Sequence, residues 1–156
     1  MAPLLAHRLR CPSLDLDLTI EQGAGRSVAA LFEEGEALFR ELESRALEEA
    51  LGRAGSLVLA CGGGILERKE NRELLVARAR IVWLAVDPER AASRLTGPGA
   101  KARPLLQGTA PVAERLRALL RERRAGYAAA ADTIVDTSQL TPEEVADRIA
   151  ERLAVA

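Results

Sequence analysis

The chain of 156 residues is 48% hydrophobic, enough to bury one core but short for two ordinary domains, so a single domain over 1–156 is predicted. Its formal net charge of -1 gives no whole-molecule attraction to nucleic acid or to an anionic membrane, because both need an excess of cations. The two cysteines (Cys11 and Cys61) and the one histidine (His7) lack the spacing of a disulfide scaffold or a zinc site, and no apolar run matches a signal peptide or a membrane span, so we expect a soluble cytoplasmic protein.

Four short apolar runs are predicted as parallel strands, with helices between them. The strands are predicted at 13–16, 56–61, 81–86 and 133–135. The helices are predicted at about 28–51, 68–79, 88–95, 111–130 and 142–154. The last helix opens with Thr141 as N-cap and Pro142 at its first position. This alternation predicts an α/β domain with a parallel sheet covered on both faces, whose ligands bind beyond the carboxyl ends of the strands.

Two charged patterns stand in the first half of the chain. Asp15 and Asp17 close the first predicted strand, where one carboxylate can hold a metal ion while the other accepts a proton. A solvated turn explains the same pair. Arg40 and Glu43 are three residues apart on a predicted helix, so the carboxylate can orient the guanidinium. A surface ion pair is the alternative.

Glycine and arginine mark the second half of the chain. Gly62, Gly63 and Gly64 follow the second predicted strand, where glycine permits a ligand or another segment to approach the backbone, or makes a tight turn. The stretch 97–106 has glycines and prolines around two cations and is predicted to be a mobile lid. Arg123 lies four residues before Tyr127 on a helix whose charges by themselves indicate a solvated face.

Together these segments resemble the shikimate kinase family in order and spacing, from about Leu5 onward. The segments that carry the resemblance are DLDLTIEQGAGRSVAALFEEGEALFRELE, ACGGG, KARPLL, RERRAGY and IVDTS. The resemblance implies a P-loop-kinase-like three-layer α/β/α fold. It also implies a monomeric enzyme that uses ATP and Mg²⁺ to phosphorylate shikimate at the 3-hydroxyl, in chorismate and aromatic amino acid biosynthesis.

The resemblance implies a role for each matching residue on the substrate side. Asp17 binds the substrate and takes the proton from its 3-hydroxyl, while Arg40 and Arg123 hold the carboxylate in forked hydrogen bonds. Glycines 62–64 lie against the ring, and Glu43 holds Arg40.

On the nucleotide side, the resemblance implies that Asp15 lies near the magnesium ion. Arg103 matches the lid arginine that closes over the phosphates and stabilises charge during transfer. Many relatives carry an arginine beside the adenine where this chain has Leu140, so Gln139 is the nearest polar candidate for a nucleotide contact.

The resemblance breaks at the amino terminus. Family members begin with a strand and a GxxGxGKS/T loop that binds phosphate, and the 156 residues contain no such motif. The chain is therefore expected to lack about ten to fifteen residues, including a central first strand between those at 56–61 and 81–86. Three interpretations are open: a gene start placed too late, a catalytically inactive shikimate-binding paralogue, or a fragment that another chain completes.

Overall fold

The computed structural model describes residues 1–95, 104–106 and 109–155. Its helices are α1 (Ala2–Leu9), α2 (Leu16–Ala24), α3 (Val28–Glu34), α4 (Glu36–Leu51), α5 (Lys69–Arg78), α6 (Pro88–Arg94), α7 (Val112–Ala130) and α8 (Pro142–Val155), with a 3-10 turn at Pro104–Leu106. Its strands are β1 (Ser13–Asp15), β2 (Val58–Ala60), β3 (Val82–Ala85) and β4 (Thr133–Asp136). The predicted alternation of strands and helices is confirmed. No helix in these ranges is long and apolar enough to cross a membrane.

The four strands form two parallel pairs. β1 pairs with β2, which places Asp15 opposite Ala60, and β3 pairs with β4, which places Ala85 opposite Asp136. Within the described residues no hydrogen-bonded ladder joins β2 to β3. The strands are thus parallel, as predicted, and the expected gap lies between the second and third of them.

The strands are less buried than their apolar sequences predict. Every residue of β2 is only half-buried, and Leu84 of β3 and Ile134 of β4 are 40% and 44% exposed. Val135 is the one described strand residue that is fully buried. Because each sheet is only two strands wide in the described chain, all four strands are edge strands and none lies between two neighbours.

Two hydrophobic clusters hold the helices against the strands. The larger joins α2, α3, α4 and α5 and contains Leu16, Ile20, Leu31, Phe39, Leu47, Ile65, Leu66 and Leu75. The smaller places α1 and α8 against β4 through Leu5, Val135, Val145, Ala146 and Ile149. The start of α8 has a reciprocal capping box: Glu144 N–H donates to Thr141 Oγ1 at 3.2 Å, and Thr141 N–H donates to Glu144 Oε2 at 2.7 Å. Thr141 is therefore the N-cap that the sequence predicts.

The predicted helix at 28–51 is two helices. Gly35 lies between α3 and α4 with φ 144 and ψ 132, a conformation that side-chain-bearing residues rarely adopt. The chain bends at this glycine, and α4 begins afresh at Glu36. Glu36, Arg40 and Glu43 consequently share one short helix.

Helix α2 was not predicted from the sequence. Asp15 ends β1 and at once caps α2, accepting a hydrogen bond from Leu18 N–H at 3.3 Å. No turn separates the strand from the helix, so the sequence lacks the glycine or proline that usually marks the boundary between two such elements. This direct junction places Asp17 in the first turn of α2.

Candidate functional site

A cleft of about 710 Å³ opens where β1, β2 and β3 end. Asp17, Arg40, Gly63 and Arg123 all line it, although they come from four distant parts of the chain. This is the side of a parallel sheet on which ligands are expected to bind. The volume lies within the usual range for small-molecule sites, roughly 300–1,000 Å³.

The two aspartates enter the cleft from the junction of β1 and α2. Asp17 is half-buried and Asp15 is exposed. A Cβ atom placed on Gly62 would lie 3.5 Å from Asp17 Oδ1, so the carboxylate rests against bare backbone. The amino terminus of a helix favours acidic side chains, and Asp17 lies in the first turn of α2.

Arg40 is a buried cation held by carboxylates of its own helix. It is 7% exposed and Glu43 is 1% exposed, so the alternative of a surface ion pair is wrong. Nη1 of Arg40 donates to Glu43 Oε2 at 2.9 Å, and Nη2 donates to Glu36 Oε1 at 2.9 Å. Within the described structure, Arg40 Nε and Glu43 Oε1 are buried without a hydrogen-bond partner.

Burial affects the ionisation of this pair. It raises the pKa of Glu43, and the hydrogen bond from Arg40 opposes that shift. Burial by itself would lower the pKa of Arg40, but the hydrogen bond and the charge of Glu43 outweigh it and raise that pKa. Arg40 therefore stays a cation. Two aromatic rings also contact the guanidinium, with Phe39 and Phe32 centroids 5.5 and 5.8 Å from Cζ.

Close contacts, rather than a positive φ, favour glycine at positions 63 and 64. None of them is among the described glycines with positive φ. A Cβ atom on Gly64 would lie only 2.4 Å from Arg40 Nη1, and one on Gly63 would lie 3.0 Å from Tyr127 Oη. The Tyr127 hydroxyl also donates to Gly63 O at 2.5 Å. Two functional side chains thus pack directly on the glycine backbone.

Arg123 faces the cleft rather than solvent. Its side chain is 15% exposed, and its Nη1 would lie 3.4 Å from a Cβ atom on Gly63. Tyr127, one turn along α7, packs on Trp83 with ring centroids 5.4 Å apart. Burial raises the pKa of Tyr127, and the charge of Arg123 opposes that shift. The solvated face that the charges of this helix suggest is therefore wrong for Arg123.

Sequence reasoning missed Glu67, which is not among the described residues that line the cleft but contacts two arginines that are. Its Oε2 lies 3.0 Å from Arg40 Nη2, and its Oε1 pairs with Arg123. Glu67 follows the glycine turn and is the first of four consecutive charged residues, 67–70. No local sequence pattern distinguishes it from the other three. Glu36 was also missed, although its spacing of four from Arg40 is a signal that could have found it.

Cys61 also lies in the cleft, at the end of β2. The residue as a whole is exposed, but its thiol is surrounded by protein. This burial, together with the charges of Glu43, Asp17 and Asp15, raises the pKa of the thiol to about 12. The thiol is therefore protonated at neutral pH and is a poor nucleophile.

The predicted nucleotide side is only partly described. Arg103 and most of the predicted lid lie outside the described residues, apart from the turn at Pro104–Leu106, from which Leu105 and Leu106 line the cleft. Gln139 is exposed and is not among the described residues that line the cleft. Within the described ranges no group of three or more His, Cys, Asp or Glu side chains could hold a metal ion. Asp15 offers a single carboxylate, the hard oxygen ligand that Mg²⁺ prefers.

The chain is similar to known proteins over nearly its whole length. The family model described as Shikimate kinase matches residues 1–154. The shikimate kinase of Symbiobacterium thermophilum is 41% identical over 151 residues, which cover 96% of this chain and 86% of that protein. The shikimate kinase of Thermobifida fusca is 44% identical over 153 residues, which cover 97% of this chain and 86% of that protein.

Solved structures agree with these matches. The shikimate kinase from Acinetobacter baumannii in complex with shikimate superposes with a TM-score of 0.92 at 34% identity, covering 99% of this chain and 84% of that one. The shikimate kinase from Aquifex aeolicus gives a TM-score of 0.80 at 30% identity, covering 98% of this chain and 87% of that one.

Proposed function

Because this chain belongs to the shikimate kinase family, we propose that, with a phosphate-binding loop in place, it phosphorylates shikimate at the 3-hydroxyl with ATP, a step of chorismate and aromatic amino acid biosynthesis. One observation carries the proposal. Arg40 and Arg123, from different helices, meet at the cleft, and a carboxylate, that of Glu67, already bridges them. This arrangement supports a pair of guanidiniums that binds a substrate carboxylate in forked hydrogen bonds.

The wall around this pair suits a small polyol. Gly62, Gly63 and Gly64 present backbone without side chains to the cleft, so a flat ring can lie close to it. The buried Glu43 fixes Arg40 by a hydrogen bond of 2.9 Å. The acid would therefore meet a cation whose position is set before binding, which lowers the entropic cost of recognition.

Asp17 is the proposed base. It lies in the same cleft as the two arginines, so an acid held by its carboxylate can present a ring hydroxyl to it. Asp17 would accept the hydroxyl proton as the oxygen gains its bond to phosphorus and the bond from that phosphorus to the departing ADP breaks. The carboxylate would also align that oxygen, and positioning accounts for most of the catalysis of phosphoryl transfer.

The family uses ATP and Mg²⁺, and the described residues fit this pair in part. When bound, ATP supplies the phosphoryl group and Mg²⁺ neutralises charge on the phosphates. The carboxylate of Asp15, at the edge of the cleft, would hold the metal, directly or through water. Arg103 would stabilise charge from the lid, and Gln139 would contact the nucleotide base. We further propose a cytoplasmic monomer that binds neither nucleic acid nor membranes.

Calorimetry with two ligands tests the substrate. The 156-residue chain should bind shikimate and should bind shikimate methyl ester much more weakly, because the ester lacks the charge that the arginines recognise. Asp17→Asn should retain shikimate binding, since it leaves both arginines in place. Equal affinity for acid and ester, or no binding of the acid, would contradict the proposal. An inactive paralogue would bind the acid without transferring phosphate even when a strand and a phosphate-binding loop precede the 156 residues, and ADP release by that extended version distinguishes this case.

A further inference from the structure

The Glu67 side chain joins the two arginines that are proposed to bind the substrate carboxylate. One of its oxygens lies 3.0 Å from Arg40 Nη2, and the other pairs with Arg123 Nη2. We infer that Glu67 competes with the carboxylate of the substrate for Arg40 and Arg123, and so determines how tightly the site binds its acid. The inference rests on the proposed function, because it concerns the same pair of arginines.

The donors of Arg40 leave little room for two further carboxylates at once. Each terminal nitrogen of a guanidinium carries two N–H groups. Nη2 of Arg40 donates to Glu36 at 2.9 Å, and a carboxylate oxygen of Glu67 forms an ion pair with the same nitrogen at 3.0 Å. Nη1 donates to Glu43 at 2.9 Å. Among the described residues, Arg40 Nε has no hydrogen-bond partner, but it is buried. A forked bond needs neighbouring nitrogens, so an incoming acid that bonds to Nη2 has to displace Glu36 or Glu67 from that nitrogen.

The three glutamates differ in how easily they can leave. The side chain of Glu43 is 1% exposed, whereas those of Glu36 and Glu67 are 48% and 37% exposed. An exposed carboxylate can turn into water and be rehydrated, but a buried one cannot. Within the described residues, Glu67 forms ion pairs with both arginines, whereas Glu36 pairs with Arg40. The departure of Glu67 therefore frees donors on Arg40 and Arg123 in one movement.

The balance of charge favours the same exchange. The cluster holds two cations, Arg40 and Arg123, and three carboxylates, those of Glu36, Glu43 and Glu67. A bound acid would be a fourth anion on two guanidiniums, and like charges repel within such a cluster. If the acid replaces Glu67, the number of carboxylates on the two arginines stays at three.

The test uses the full chain and measures shikimate affinity by calorimetry. Glu67→Gln keeps the size of the side chain and removes its charge, so it should bind shikimate more tightly, by roughly two- to fivefold, the range of a partly exposed ion pair. Trp83 is the only tryptophan and lines the cleft, so its fluorescence gives a second readout. Glu36→Gln is the matched control: it removes one carboxylate from Arg40 and leaves the bridge to Arg123 intact, so a smaller change is expected.

The outcomes separate this inference from the proposed function. If the parent chain binds shikimate and Glu67→Gln binds it equally or more weakly, Glu67 does not compete and the inference is overturned, while the proposed function stands. An equal gain in Glu36→Gln would also overturn it, because the effect would then be one of general charge. If neither the parent nor Glu67→Gln binds shikimate, the proposed function fails, and the inference fails with it.

Discussion

Substitution of Gly64 by alanine is expected to displace Arg40. The new Cβ atom would lie 2.4 Å from Nη1 and Nη2 of Arg40 and 2.6 Å from Cζ, whereas an ordinary contact begins at 3.4 Å. The guanidinium would have to retreat by the difference of 3.4 and 2.4 Å, about 1 Å. It cannot do so freely, because it is 7% exposed and is held by Glu43 and Glu36 at 2.9 Å each.

The structure indicates the size of the effect. A hydrogen bond to a charged group contributes about 1.5–3 kcal/mol, and about 1.4 kcal/mol is a factor of ten in affinity, so Gly64→Ala should weaken shikimate binding by roughly ten- to a hundredfold as the bond to Arg40 is lost. Overpacking of a filled site typically costs about 1–3 kcal/mol in the free energy of unfolding. Calorimetric titration with shikimate measures the first quantity, and urea denaturation followed by circular dichroism measures the second.

Gly126→Ala is the matched control. Gly126 lies in α7, and a Cβ atom there would meet nothing within 4 Å. Alanine in place of glycine within a helix stabilises it by about 0.5–1 kcal/mol, so this variant should be slightly more stable and should bind shikimate as the parent does. If Gly64→Ala binds shikimate with unchanged affinity and stability, the guanidinium is not confined against this backbone, and the reasoning about the glycines is wrong.

Four further predictions concern the same cleft. Arg123→Lys should weaken shikimate binding, measured by calorimetry, because a point charge cannot replace the fork of a guanidinium; unchanged affinity would contradict this. Asp17→Asn should lower the rate of ADP release in an actively phosphorylating chain by roughly a hundredfold or more while shikimate affinity changes little. Cys61 should alkylate slowly at pH 8, as followed by peptide mass spectrometry, and its rate should continue to rise with pH above 9, the ordinary thiol pKa, because the pKa of this thiol is about 12; rapid alkylation at pH 8 would refute that pKa. The 156 residues contain no GxxGxGKS/T motif. Each lost donor costs about a hundred- to a thousandfold in rate, so this polypeptide by itself should release no measurable ADP. A version preceded by a strand and such a loop should turn over. Robust turnover by the 156-residue polypeptide would show that another segment binds the phosphates.

Local signals explain which elements were predicted correctly. Thr141 and Glu144 form their capping box within a few residues of each other, so the sequence suffices to place the start of α8. The paired strands were found by their short apolar runs. Helix α2 was not predicted, because Asp15 is both the last residue of β1 and the N-cap of α2. No separate turn in the sequence therefore marks where the helix begins.

The sequence by itself determined the family of this protein. Its motifs, such as the aspartates at 15 and 17 and the glycines at 62–64, each lie within a few neighbouring residues and can be recognised without the fold. Only the tertiary structure decided how those residues act on one another. In the sequence, the spacing of Arg40 and Glu43 is also typical of a surface ion pair. In the structure, the packing of α4 buries them to 7% and 1% exposure. Glu67 had no distinguishing local pattern, because its partners Arg40 and Arg123 come from helices far away in the chain. Contacts between distant segments depend on how helices pack, and neither periodicity nor motif spacing records that geometry.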